Sequence, residues 1–166
     1  MGRRPEVPEL LDLAERIVGW ADEGEQVEAV VVHERETEVR AYEGEVESLT
    51  SAESQGVGVR VVRDGRQGFA YAGTLDPDAL AEVLAEARDN LTFATPDEHC
   101  ALAEPDGVEA ADLDLYRATL VDHPTEAKVA LALDLERRTR AADPRISGVE
   151  SADYSDSISE SAVATT

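Results

Sequence analysis

The sequence predicts an α+β fold: an antiparallel sheet of about five to seven strands with about three helices packed on it. Three observations carry this. Apolar residues recur at helical spacing in three stretches, near residues 8–23, 77–92 and 124–142. Between the first two stretches the period changes to two. The strand-like runs are joined by short polar turns, and short turns impose antiparallel pairing because a parallel crossover needs about a dozen residues or more. Grouped rather than alternating elements put the helices on one face of the sheet.

Each element has its own warrant. Leu10, Leu11, Ala14, Ile17, Val18 and Ala21 share one helical face over residues 8–23, with Pro8 in the first turn, Glu9 complementing the dipole and Gly24 as the stop. Val27, Ala29 and Val31 alternate with Glu28, Val30 and Val32, predicting a largely apolar strand at 27–34. Thr37, Val39 and Ala41 alternate with Glu38, Arg40 and Tyr42, predicting a half-exposed second strand. Glu43-Gly44-Glu45 is a turn, followed by a third strand at 46–54. Gln55-Gly56 ends it, and Val57, Val59 and Val61 begin a fourth. Asp64-Gly65 is a hairpin turn, since both residues tolerate positive φ, and Gln67 to Tyr71 form the fifth strand.

Asp76-Pro77 reads as N-cap and first helical residue, with Leu80, Val83, Leu84, Ala87 and Leu91 as the face behind it. Residues 95–122 hold Pro96, Pro105 and Gly107 and little periodicity, so they read as a long surface connection with room for a short turn of helix. Pro124 and Thr125 open the third helix, whose apolar face is expected on Ala127, Leu131 and Leu135, with arginines at its C-terminal end. Beyond Arg145, Ile146, Ala152, Tyr154, Ile158, Ala162 and Ala164 fall on even positions and serines on odd ones, predicting two strands around Ser157-Ile158-Ser159-Glu160. The pattern stops at Thr166 with no closing turn, which a truncated chain explains most simply. The expected organisation is a flexible N-terminus over residues 1–7 and one domain over residues 8–166, shortened at its C-terminal end.

Composition narrows the function. The 166 residues are enough for one core, since a domain of ~150 residues buries roughly 68–70% of its unfolded surface. At 42% hydrophobic and 31% charged residues the chain is globular rather than disordered. Its formal net charge of −22 repels phosphate backbones and anionic lipid, which argues against nucleic-acid and membrane-surface binding. No run approaches the ~18 apolar residues of a membrane helix. No apolar stretch follows Arg3-Arg4, so no secretory signal is visible and a cytoplasmic protein is expected. Cys100 is the single cysteine, which leaves no intrachain disulfide and no multi-cysteine zinc site.

The reactive residues do not assemble into a motif. His33-Glu34 begins like H-E-x-x-H, but Thr37 stands where the second histidine belongs, and the segment is strand-like. His33 therefore reads as a strand residue. His99-Cys100 lie together in the connection with no partner at zinc spacing, and His123 precedes Pro124 as a helix-entry residue. Cys100 paired with His99 or His123 is the one nucleophile arrangement on offer, and it lacks a placed base. Gly56, Gly58, Gly65 and Gly68 match no phosphate-binding fingerprint and sit between strands rather than before a helix. Glu43, Glu45 and Glu47 read as a solvated face. No catalytic, cofactor-binding or metal-binding residue is assigned.

One ordered set of motifs goes beyond composition. Val39-Arg40-Ala41-Tyr42-Glu43-Gly44-Glu45-Val46-Glu47 leads to Gly56-Val57-Gly58-Val59-Arg60-Val61 and then to Asp64-Gly65-Arg66-Gln67-Gly68-Phe69-Ala70. Thr74-Leu75-Asp76-Pro77 and an alanine-rich acidic helix come next, and Tyr154-Ser155-Asp156-Ser157 comes later. This resembles the N-terminal domain of the TldD/PmbA metallopeptidase family, also called modulators of DNA gyrase. It resembles the PmbA (TldE) branch more than the TldD branch. Glu43 departs from the family, which often has asparagine there.

The resemblance implies a family chain about three times this length. It implies that TldD-type members carry an HExxxH zinc motif downstream of the matching region, and that PmbA-type members lack it and pair with a TldD-type subunit. The implied role is that of a non-catalytic domain, with no cofactor of its own and zinc on a TldD-type partner. It would shape the assembly and substrate chamber of a hetero-oligomer that cleaves unfolded or modified peptides. The alternative is a stand-alone acidic module that captures peptides by strand addition at a sheet edge.

Overall fold

The computed structural model describes residues 7–104, 106–109, 111 and 113–166. The expected flexible N-terminus lies outside the described residues as far as residue 6, and residue 7 already begins a helix. The elements run α1 (Val7–Val18), β1 (Gln26–Tyr42), β2 (Glu45–Arg63), β3 (Arg66–Ala72), α2 (Pro77–Phe93), α3 (Ala118–Val121), α4 (Thr125–Ala142) and β4 (Ala152–Thr165). The fold is α+β, with one four-stranded sheet in the order β3-β2-β1-β4.

The strands are fewer and longer than the alternation suggested. The first two expected strands are one, β1, because His33-Glu34-Arg35-Glu36 is polar but contains no turn residue. Its odd-numbered residues are buried from Val27 to Ala41, apart from the half-buried Arg35. The next two are also one, β2, and Gly56 is not a break. A Cβ there would stand 2.9 Å from the Ala72 carbonyl oxygen, so glycine permits a close approach of β3. The two expected C-terminal strands are the single β4, with Ala152, Tyr154, Asp156, Ile158, Glu160 and Ala162 more buried than their odd-numbered neighbours.

Both tight turns have the left-handed geometry that two-residue hairpins demand. Glu43 and Gly44 have φ of 53° and 84°, and Asp64 and Gly65 have 52° and 69°. The second turn sets an antiparallel register from Arg63 opposite Arg66 to Val57 opposite Ala72. β4 runs antiparallel to β1: the Thr166 N–H donates to the Val27 carbonyl at 3.0 Å, and Asp153 lies 3.6 Å from Arg40 at the other end.

The chain forms two compact units. The first comprises the described residues of Met1–Glu34, Ser54–Val108 and Ser159–Thr166. Its core joins Leu10, Ala14 and Ile17 of α1 to Val27, Ala29 and Val31 of β1, Val57, Val59 and Val61 of β2, and Leu80, Val83, Leu84 and Ala87 of α2. Burying each large aliphatic side chain here contributes about 1.5–3 kcal/mol. α2 lies directly on β3 at Gly68, where a Cβ would fall 1.9 Å from the Ala87 carbonyl oxygen. α1 ends at Val18 rather than near residue 23. The N–H groups of Trp20 and Ala21 bond back to the carbonyls of Ile17 and Val18, tightening the last turn, and Gly24 turns the chain into β1. Arg88 of α2 clamps this turn, donating to both carboxylate oxygens of Glu25 at 2.8–3.2 Å and to the Trp20 carbonyl at 2.8 Å. Asp76 takes the N-cap position of α2 as expected, but its side chain makes no capping hydrogen bond.

The second unit comprises Arg35–Glu53 and Glu109–Ile158. Its small core is Val39 and Ala41 of β1, Ala132 of α4 and Ala152 of β4, flanked by Val129, Leu133 and Tyr154. Here the expected face of α4 is corrected. The buried residues are Lys128, Ala132 and Glu136, whereas Leu131 and Leu135 are each 51% exposed. The four-residue spacing was right and the phase was off by one, because two charged side chains found partners under the helix.

Candidate functional site

The buried charges of the second unit form its most organised chemistry. Lys128 is the only lysine in the sequence. Its ammonium lies 2.6 Å from Asp156 Oδ2 and 3.3 Å from the Thr37 hydroxyl. The Tyr154 hydroxyl donates to the same Asp156 oxygen at 2.7 Å. Burial alone would raise the Asp156 pKa. The hydrogen bonds from Lys128 and Tyr154, with the nearby charges of Lys128 and Arg35, outweigh it and hold the carboxyl below the ordinary value. Burial first, then the hydrogen bond and negative charge of Asp156, push Tyr154 up to about 12. Every strong acceptor and donor here has an opposite, so the arrangement is a fixed ion pair rather than a poised acid or base.

Two turns farther along α4, Glu136 is only 1% exposed. Its Oε2 accepts the Gly44 N–H of the β1–β2 turn at 2.9 Å. Its Oε1 has no hydrogen-bond partner among the described residues, and the cation beside it is Arg140 at 3.8 Å. Glu136 also lines a cavity of about 430 Å³ with Gly44, Leu133, Arg137, Arg140 and Ala141.

The structure also places each residue singled out from the sequence. His33 is buried in β1, with Nδ1 3.6 Å from Glu160 of β4. It is the strand residue expected. His99 is 86% exposed and lies 3.7 Å from Glu98. Cys100 is half-buried, and its N–H bonds to the Asp97 carbonyl at 3.1 Å. Both line a polar cavity of about 340 Å³ with Arg60, Gln67 and Asp97, and no hydrogen bond joins the thiol to a base among the described residues. His123 stands just before α4 and donates its N–H to the Leu120 carbonyl. Among the described residues no three His, Cys, Asp or Glu side chains are arranged to hold a metal ion, so they offer zinc no fitting donor set and no step is assigned to one. No helix among them is long and apolar enough to cross a membrane.

Lys128, Glu136 and Asp156 were missed from sequence. The available signals were a lone lysine in an arginine-rich chain and the even, inward phase of Asp156 among the C-terminal residues.

The comparisons with known proteins agree with this architecture. Residues 27–91 match the family model for PmbA/TldA metallopeptidase domain 1, and residues 119–166 match the central domain of the same family, together about two thirds of the chain. The chain is 31% identical over 113 residues to metalloprotease PmbA of Escherichia coli O157:H7, covering 67% of this chain and 25% of that protein. It is 34% identical over 109 residues to an uncharacterised protein of Methanocaldococcus jannaschii, covering 63% and 26%. Among solved structures it superposes on TldE from Thermococcus kodakarensis with a TM-score of 0.71 at 17% identity, covering 96% of this chain and 34% of that one. A protein from Bacteroides thetaiotaomicron described as a modulator of DNA gyrase gives a TM-score of 0.80 at 20% identity, covering 93% and 36%. The chain thus spans about a quarter of the length of the matched relatives and about a third of the solved structures. With the α+β fold, the two domain matches and the PmbA likeness in one place, the chain belongs to the PmbA/TldA metallopeptidase family, the TldD/PmbA family of its sequence motifs, and is PmbA/TldE-like.

Proposed function

We propose that this chain is part of a PmbA/TldE-like subunit that pairs with a zinc-bearing TldD-type subunit in a cytoplasmic peptidase complex acting on unfolded or modified peptides. Its own contribution is assembly and shaping of the substrate chamber rather than bond cleavage. The observation that carries this reading is the apolar stripe of α4: Leu131 and Leu135 each leave half their surface in solvent while two charged side chains are buried in their place. An exposed leucine pair on a helix that buries charge on its inner face is a surface that a partner covers.

The test mixes the chain with the TldD-type protein of the same source and measures complex mass by light scattering, with zinc determined on each component. A stoichiometric complex with zinc on the partner supports the reading. The double variant Leu131→Lys with Leu135→Lys should weaken that complex at least tenfold and leave the melting temperature of the chain within about 2 °C, since both side chains are already exposed. Stoichiometric zinc on this chain alone overturns the assignment.

A second reading rests on β2. Residues 45–55 are all exposed, and the β3 ladder begins only at Val57, so residues 45–52 form an uncovered sheet edge among the described residues. Strand addition of a basic peptide to that acidic edge is the corresponding stand-alone function. Saturable binding of basic peptides at physiological salt supports it, and its absence removes it.

A further inference from the structure

We infer that the cavity at the C-terminal end of α4 is a binding site for a short, uncharged polypeptide segment, which it holds by one main-chain amide and one apolar side chain. Three observations converge. Glu136 lines the cavity and is almost fully buried, yet its Oε1 has no hydrogen-bond partner among the described residues. A buried carboxylate oxygen without a donor is costly and demands one. Glu136 is not free to leave, because its other oxygen is anchored to the Gly44 N–H.

The neighbours choose the ligand class. Arg140 stands one helical turn beyond Glu136, 3.8 Å from the unpartnered oxygen, and is 48% exposed. A carboxylate acceptor and a guanidinium donor one turn apart complement a single amide, whose N–H meets Glu136 and whose carbonyl meets Arg140. A cationic ligand would meet Arg140 and Arg137, and an anionic one would meet Glu136, so a neutral group is favoured at both ends. Leu133 and Ala141 supply the apolar wall, and about 430 Å³ lies within the range of ligand pockets. This site is separate from the stripe at Leu131 and Leu135 and does not require the partner subunit. Failure of the complex to form would therefore leave it standing.

The probe is the blocked tripeptide acetyl-Ala-Leu-Ala-amide, titrated into the 166-residue chain by calorimetry and followed by amide NMR shifts. Saturable binding with shifts at Gly44 and along residues 133–141 is expected. N-methylation of the leucine nitrogen removes the donor and should cost at least tenfold in affinity. Glu136→Gln keeps an oxygen for Gly44 and turns an amino group toward the cavity, so it should cost a similar factor with little change in melting temperature. Ala141→Phe, at an exposed position, should fill the cavity and abolish binding without disturbing the core. Absence of saturation, or equal binding by the N-methylated peptide or the Ala141→Phe variant, overturns the proposal.

Discussion

Lys128 and Asp156 meet at 2.6 Å beneath α4, joining that helix to β4 with side chains only 8% and 18% exposed. Removing one partner of such a pair leaves a buried charge without compensation. Asp156→Asn should cost about 3 kcal/mol. The double variant Asp156→Asn with Lys128→Met should cost less than Asp156→Asn alone, because no ammonium is then stranded. Urea denaturation of the parent chain and both variants measures the difference.

The same pair fixes a pH dependence. Asp156 lies below the ordinary carboxylate value when folded, as does Glu25, where burial raises it and the Arg88 clamp more than compensates. The unfolded chain therefore takes up protons first as pH falls. The contribution of both carboxylates is whole above about pH 5 and is lost as the pH drops through their folded values. Melting temperatures between pH 7 and pH 3 should show this fall, and Asp156→Asn should flatten it.

Tyr154 offers a spectroscopic marker for the second unit. Its phenol is pushed up to about 12, whereas an ordinary tyrosine ionises near ~10. Absorbance titration of the four tyrosines at alkaline pH should show one delayed component. Tyr154→Phe should remove that component and no other.

Two backbone positions test the packing and turn arguments. Gly68→Ala drives a methyl into the backbone of α2 at Ala87 and should destabilise the first unit by about 3 kcal/mol. Glu43→Asn moves the other way. Glu43 holds a φ of 53° that costs a side chain with a full Cβ, and asparagine tolerates it better. A gain of about 0.5–1 kcal/mol by thermal denaturation is expected.

Local and repetitive features were legible from the amino acids alone. Period-two alternation placed the buried residues of β1 and the inward even positions of β4, and Glu43-Gly44 and Asp64-Gly65 marked both hairpins, because these patterns arise from backbone geometry. Tertiary structure decided whatever depends on a second segment. Residues 35–36 and Gly56 look like breaks but lie inside long strands, since their neighbours supply the ladder and the close approach. The phase of α4 could not be read from its leucines. Lys128 and Glu136 are buried because Asp156 and Gly44, far away in sequence, meet them there, and a charge anchored by such a partner can displace a leucine from a small core.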